Sequence, residues 1–177
     1  MNDDFAAIKP LIDKETIDRR ISELGKTIAE EYAGKNPLFL GIIRGAVIFL
    51  ADLLRQIPYS CEYELLRASS YGNGKTSSGK PEFFGVSLSC CEGREVIVVE
   101  DIIDTGVTMS ILKEEILKNN PRSLKLCSFL DKPSGRKTQT EIVPDYCAFE
   151  VGDFFIVGYG LDYAGKYRNL PYIGILS

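Results

Sequence analysis

Val96-Ile-Val-Val-Glu-Asp-Ile-Ile-Asp-Thr-Gly-Val-Thr108 is the stretch that decides the fold. Its first four residues form a β-branched apolar run, which reads as a buried central strand. Two adjacent acids, Glu100 and Asp101, stand where that strand should leave the core. Asp104-Thr-Gly-Val-Thr108 then turns, and residues 108–119 read as a helix stopped by Pro121. Open α/β sheets bind ligands just beyond the carboxyl ends of their strands. Backbone N–H groups in such a turn, backed by a helix N-terminus, make an anion cradle. Thr105 and Thr108 add hydroxyl donors, and Gly106 lets the backbone approach a ligand closely.

The cradle is not a P-loop, because GxxxxGK[ST] is absent. It sits beside three carboxylates, which would repel a bare phosphate. The combination suits a ligand carrying both phosphate and hydroxyls, or one that brings Mg²⁺. A phosphorylated sugar meets that description, with its phosphate in the cradle and its hydroxyls on Glu100 and Asp101.

Outward from this segment, apolar runs and helical patterns alternate. Ile17, Ile21, Leu24 and Ile28 recur at helical spacing, with Asp13 as a cap and Gly34 to Pro37 as the stop. Residues 38–43 read as a buried strand, 45–57 as a helix and 59–67 as a strand. A short strand is expected near Val86-Ser-Leu-Ser89. Others are expected at 124–130, 146–149, 154–157 and 172–176. This order predicts an α/β fold with a mostly parallel twisted sheet flanked by helices. Residues 69–81 carry three Gly, four Ser, one Thr and one Asn around Tyr71, so they read as a long mobile loop of the kind that closes over active sites.

The chain has 177 residues, with 21 Lys+Arg against 25 Asp+Glu, and no His or Trp. One domain is expected at this length. Without histidine there is no Ser-His-Asp triad, no Cys-His pair and no His-ligated zinc. Proton transfer falls to Asp, Glu, Lys, Tyr or water. A metal would need oxygen or thiolate ligands, and carboxylates favour Mg²⁺. A net charge of −4 with no Lys/Arg-rich run argues against nucleic-acid or anionic-membrane binding. The five cysteines (61, 90, 91, 127 and 147) are odd in number and lack a CxxC, so they read as reduced buried thiols of a cytoplasmic protein. The acidic start, Met1 to Asp4, is no signal peptide. Arg44 and Asp52 keep the apolar stretch 38–54 too short for a membrane span.

With these residues in view, the sequence resembles the type I phosphoribosyltransferases, and most closely their hypoxanthine-guanine branch. The string at 96–108 resembles that family's binding motif for phosphoribosyl pyrophosphate (PRPP). GIIRGAVIFLADLLR (41–55), SSYGNGKTSSG (69–79), LDK (130–132) and residues 144–174 follow the branch in the same order. The resemblance implies one domain over residues 1–177. Its core would span about 38–145, with a small purine-binding hood from about 1–20 and 146–177.

It also implies a chemistry: transfer of the phosphoribosyl group from PRPP to N9 of hypoxanthine or guanine, with loss of pyrophosphate. Glu100 and Asp101 would hold the ribose hydroxyls, near or through Mg²⁺. Asp104 would sit by purine N7 as general base, and Asp104, Thr105, Gly106, Val107 and Thr108 would bind the 5′-phosphate. Arg44, Gly45 and Arg168 would meet pyrophosphate, with a non-proline cis peptide before Arg44. Lys132 would donate to purine O6, which suits a 6-oxopurine because an ammonium is donor-only. Phe155 would stack on the ring and the Ile156 backbone would contact its edge. Asp162 would complete the purine and Mg²⁺ side, and Ser70-Tyr71 would lie in the closing loop. The resemblance suggests a homodimer or homotetramer, with the Arg44 region near an interface. Two departures stand out: Arg44 where many members have Lys, and Val107 where some have Lys. Three alternatives stay open on the residues: a regulatory PRPP-sensing or RNA-binding module, a phosphoribosyltransferase for another base, and a phosphoacceptor domain.

Overall fold

The computed structural model describes residues 8–69, 81–136 and 142–176. Strands β2 (Leu38–Ile43), β3 (Glu62–Ser69), β4 (Glu82–Gly85), β5 (Glu95–Ile103), β6 (Ser123–Asp131) and β7 (Tyr146–Glu150) form one sheet. Its order is β4-β3-β2-β5-β6-β7, parallel throughout except for the antiparallel β3–β4 pair. The helices are α1 (Lys14–Glu31), α2 (Val47–Leu54) and α3 (Val107–Leu117). A smaller antiparallel sheet joins β1 (Ile8–Ile12), β9 (Ile173–Leu176) and β8 (Ile156–Val157). The expected α/β class with a mostly parallel sheet is present.

Side chains on β2 and β5 alternate between two packed layers. Phe39, Ile97 and Val99 pack with residues of α1 and α2, including Ile17, Ile21 and Phe49. Leu38, Leu40, Val96 and Val98 pack with Met109, Leu112 and Ile116 of α3. Burial on both faces explains why these strands read as continuous apolar runs. Each such side chain contributes about 1.5–3 kcal/mol through removal from water. On α1, Ile17, Ile21, Leu24 and Ile28 are all buried. The Thr16 N–H donates to Asp13 Oδ1 at 2.8 Å, a cap of about 1 kcal/mol.

The departures from expectation have local causes. β5 continues past Val99 to Ile103, because β6 keeps pairing beside it: Glu100 aligns with Ser128 and Ile102 with Leu130. Glu100 and Asp101 therefore stay inside the strand instead of leaving it. No strand forms at 86–89. Gly85, at φ +116°, ends β4. Ser87 Oγ then accepts from the Ser89 N–H at 3.4 Å, and Leu88–Cys91 closes into a 3-10 turn. The helix expected at 45–57 is shorter, since the N–H groups of Gln56 and Ile57 bond back to Leu53 and Leu54 in turn geometry. Phe154 and Phe155 precede β8 and are exposed, not strand core. Among the cysteines only Cys91 and Cys127 are fully buried; Cys61, Cys90 and Cys147 are partly covered, and all five are free thiols. Burial pushes the Cys91 thiol up to about 12 and Cys147 up to about 11. Among the described residues, no helix is long and apolar enough to cross a membrane.

Candidate active site

The carboxyl ends of β2, β5 and β6 converge on one cleft. Arg44, Gly45, Glu100, Asp101, Asp162 and Arg168 line a cavity of about 240 Å³. A second hollow of about 120 Å³ adjoins it around Asp104, Thr105, Gly106 and Thr108.

The second hollow holds the turn expected as an anion cradle. Gly106 holds φ +76°, the left-handed region open to glycine, and serves as N-cap of α3 without a side-chain cap bond. The Val107 N–H reaches Thr105 Oγ1 at 3.5 Å. A helix start without a strong cap keeps N–H groups and the positive dipole end available to an anion.

In the larger cavity, Glu100 Oε2 is shut from solvent and has no hydrogen-bond partner. Burial, and then the neighbouring Asp101 carboxylate, push Glu100 well above the usual carboxylate range. Burial also raises Asp101, whose Oδ1 accepts from the Ile102 N–H at 2.8 Å. The other Asp101 oxygen lies so close to the Gly45 backbone that a Cβ there would fall 1.4 Å from it. Gly45 is thus required by the packing of Asp101. The peptide Ile43-Arg44 is cis, as the resemblance implies.

Arg168 forms an ion pair with Asp162 and donates from Nη1 to Gly160 O at 2.5 Å. The other Asp162 oxygen accepts from the Gly165 N–H at 2.8 Å. Asp162 therefore lines the cavity with Glu100 and Asp101, yet its carboxylate faces Arg168. Among the described residues, no three His, Cys, Asp or Glu side chains cluster as a metal-binding group. The donor set still fits Mg²⁺. That ion commonly takes one or two carboxylates and completes its octahedron with water and substrate phosphates. Glu100 and Asp101 would supply the carboxylates, and the partnerless Glu100 oxygen is what a cation or a hydroxyl would satisfy.

Across the cleft, the Lys132 N–H donates to Ile103 O at 3.0 Å, which sets this residue beside the Asp104 turn. Its ammonium pairs with the Asp153 carboxylate at 2.7 Å and contacts Phe154 O at 3.5 Å. The Asp153 bond raises the Lys132 pKa, so the side chain is charged. The Phe155 ring is 54% exposed and meets Tyr163 edge-on at 5.4 Å, leaving a ring face open for stacking. Ile156 is buried in β8. Ser70 and Tyr71 lie outside the described residues, as does most of the expected 69–81 loop.

Four contributors escaped the sequence reading. Asp153 holds Lys132. Gly135 makes room for Asp104, whose Oδ1 would lie 1.6 Å from a Cβ there. Gly160, at φ +102°, packs on Gly45 O, 2.1 Å from where its Cβ would be. Arg136 bonds the backbone of the Asp104 turn. Only pairing across distant segments reveals them; the glycines' one local signal is their place in turn-forming stretches.

Residues 11–164 match the phosphoribosyl transferase domain family. The chain belongs to this phosphoribosyltransferase family. It is 45% identical over 169 residues to the hypoxanthine-guanine phosphoribosyltransferase of Bacillus subtilis, covering 96% of this chain and 93% of that protein. It is 47% identical over 169 residues to the bifunctional protein TilS/HprT of Listeria monocytogenes; the match takes in 96% of this chain but only 26% of that protein's length. A hypoxanthine phosphoribosyltransferase crystal structure from Staphylococcus aureus matches with a TM-score of 0.90 at 34% identity, covering 100% of this chain and 98% of that one.

Proposed function

We propose that the protein transfers the 5-phosphoribosyl group from PRPP to N9 of a 6-oxopurine, hypoxanthine or guanine, forming the nucleoside monophosphate and pyrophosphate in purine salvage. The observation that carries this reading is the join between β5 and β6. The Lys132 N–H bonded to Ile103 O sets this residue next to the Asp104 turn, and its donor-only ammonium is near enough for its charge to interact with that of Asp104. An oxopurine offers an acceptor at O6 to that ammonium, whereas adenine offers an amino group there.

In this reading the N–H groups from Thr105 to Thr108 hold the 5′-phosphate, and Glu100 and Asp101 hold the ribose hydroxyls. Arg168 and the Gly45 backbone receive pyrophosphate, with Asp162 keeping Arg168 in place beforehand. Phe155 covers one purine face, the Ile156 backbone contacts its edge, and β1, β8 and β9 form the hood over it. Mg²⁺, held by Glu100 and Asp101, would neutralise the departing pyrophosphate. Bond breaking at C1 of the sugar leaves an oxocarbenium-like centre, as in glycoside transfer. Asp104 takes the N7 proton as N9 bonds to C1, so no protein nucleophile or imidazole is needed.

Val47, Tyr63 and Leu65 are large exposed apolar residues that line one shallow hollow between α2 and β3. That patch supports self-association as a homodimer or homotetramer. The proposed setting is the cytoplasm, where PRPP and reduced thiols coexist. The test is direct: purified protein with PRPP, Mg²⁺ and hypoxanthine or guanine should yield nucleotide and pyrophosphate. No product with either base overturns the reading, and turnover of adenine alone moves it to another base class.

A further inference from the structure

We propose that Arg136 is a positioning residue for the transfer, aiming the Asp104 carboxylate through the main chain on either side of it. The inference rests on Asp104 being the group that accepts the N7 proton.

Asp104 is exposed, so burial does not fix where its carboxylate points. A general base must lie within about 2.6–3.2 Å of the atom that gives up its proton. Its aim therefore has to come from its backbone and from what its side chain packs against. Both come from one short segment, residues 132–136, after β6.

Arg136 grips the turn from behind. Nη1 donates to Ile103 O at 2.5 Å and also to Asp104 O. Nη2 donates to the Asp131 carboxylate, and Nε donates to Ile142 O at 3.0 Å. Four of the five guanidinium N–H donors thus have acceptors, and the planar fork fixes their mutual angles. The Arg136 and Asp131 side chains are only 15% and 12% exposed, so this pair is sheltered from screening. The Lys132 N–H adds a second bond to Ile103 O at 3.0 Å. The carbonyls before and at Asp104 are both held, while Gly135 limits where Oδ1 can go. The residue that would read O6 and the residue that aims the N7 base lie four positions apart on one rigid turn. Purine recognition and proton acceptance are therefore registered to each other.

A lysine at 136 keeps the charge opposite Asp131 but cannot span two carbonyls as a fork. A misplacement of about 1 Å in such a site costs on the order of 100-fold in rate. The experiment is steady-state kinetics of the full chain with PRPP, Mg²⁺ and hypoxanthine, together with Tm. The variants are Arg136→Lys, Gly135→Ala, Asp104→Asn, and each of the first two combined with the third. Arg136→Lys should lower kcat about 10–100-fold with KM for PRPP and Tm nearly unchanged. In the Asp104→Asn background the same change should cost less than about 2-fold, because the group it aims is already gone. Gly135→Ala should show the same non-additivity, and it decides the matter should Arg136→Lys not fold. Multiplicative losses in the double variants, or a kcat loss matched by losses in Tm and PRPP affinity, overturn the proposal. If Asp104→Asn alone leaves kcat intact, the reading of Asp104 fails instead.

Discussion

The two ends of the parallel sheet differ in how completely they satisfy their polar groups. At the amino ends of the strands, charges meet partners from the protein itself. Lys125 bonds Glu31 at 2.5 Å and Tyr146 at 3.3 Å, and Tyr146 donates its hydroxyl to the other Glu31 oxygen. Arg94 pairs with Glu62 at 3.2 Å, and Asn36 donates to Glu62 at 2.9 Å. Asp145 Oδ2 accepts from the Leu126 N–H at 2.8 Å. At the carboxyl ends, among the described residues, Lys132, Arg136 and Arg168 also pair with Asp153, Asp131 and Asp162, but Glu100 keeps an oxygen buried without a partner and α3 starts without a side-chain cap. The same fold could have satisfied these groups, as its other end shows. Leaving buried groups unsatisfied costs stability, and the proposed PRPP with Mg²⁺ would satisfy them.

The largest test of this contrast is Lys132→Ala. Among the described residues, Lys132 is a cleft cation whose partner, Asp153, is itself mostly solvent-exposed. An exposed carboxylate holds the ammonium weakly, so a purine oxygen can share it. Hydrogen bonds to charged groups are worth about 1.5–3 kcal/mol, so kcat/KM for hypoxanthine should fall about 10–100-fold. KM for PRPP should change little, because Lys132 lines neither the cavity at Glu100 and Arg168 nor the hollow at Asp104 to Thr108. Equal losses toward both substrates would show that Lys132 props the cleft and does not read the base. The matching change at the other end, Lys125→Ala, should leave both constants alone.

This contrast also explains what was legible in the sequence. Val96 to Val99 announces a strand because both faces are buried, and Ile17 to Ile28 announce α1 by helical spacing. The run from Glu100 to Thr108 was readable because strand, cradle and acids are contiguous. That Glu100 and Asp101 stay within β5 was not, since strand length is set by the neighbouring β6 and not by local propensity. β1 was missed for a similar reason: it exists through pairing with β9, with Ile8 opposite Leu176 at the far end of the chain. Asp153 reads as an ordinary surface acid until folding brings it to Lys132. Gly135 and Gly160 matter only through Cβ positions that a distant carboxylate or carbonyl already fills.

Glu100→Gln should separate function from stability in a way no residue at the other end can. Burial raises the Glu100 pKa in the folded protein, so the folded state binds more protons than the unfolded chain between the ordinary and the raised value. Its contribution is then fully present below the unfolded pKa and is lost as pH rises through the folded one. An amide carries no such penalty, so Glu100→Gln should raise Tm at pH 7 by about 2–5 °C. It should also weaken PRPP affinity in the presence of Mg²⁺ by about 10-fold. A fall in Tm would mean that the carboxylate is already satisfied without ligand.

Glu31→Gln supplies the smallest effect and the opposite sign. Lys125 and then Tyr146 hold the Glu31 carboxylate below its usual range. Its contribution is present above the unfolded pKa and disappears as pH falls through the folded one. The pair is partly exposed, with side chains 30% and 37% accessible, so screening limits it to under about 1 kcal/mol. Glu31→Gln should therefore lower Tm at pH 7 by a few degrees at most, converge with wild type as pH falls below the ordinary carboxylate range, and leave kcat untouched. Thermal melts of the two glutamine variants across pH should thus move apart on opposite sides of wild type as pH rises. Parallel curves would mean that the two ends of the sheet do not differ in how they hold charge, and the site would lose its claim to be the end prepared for a ligand.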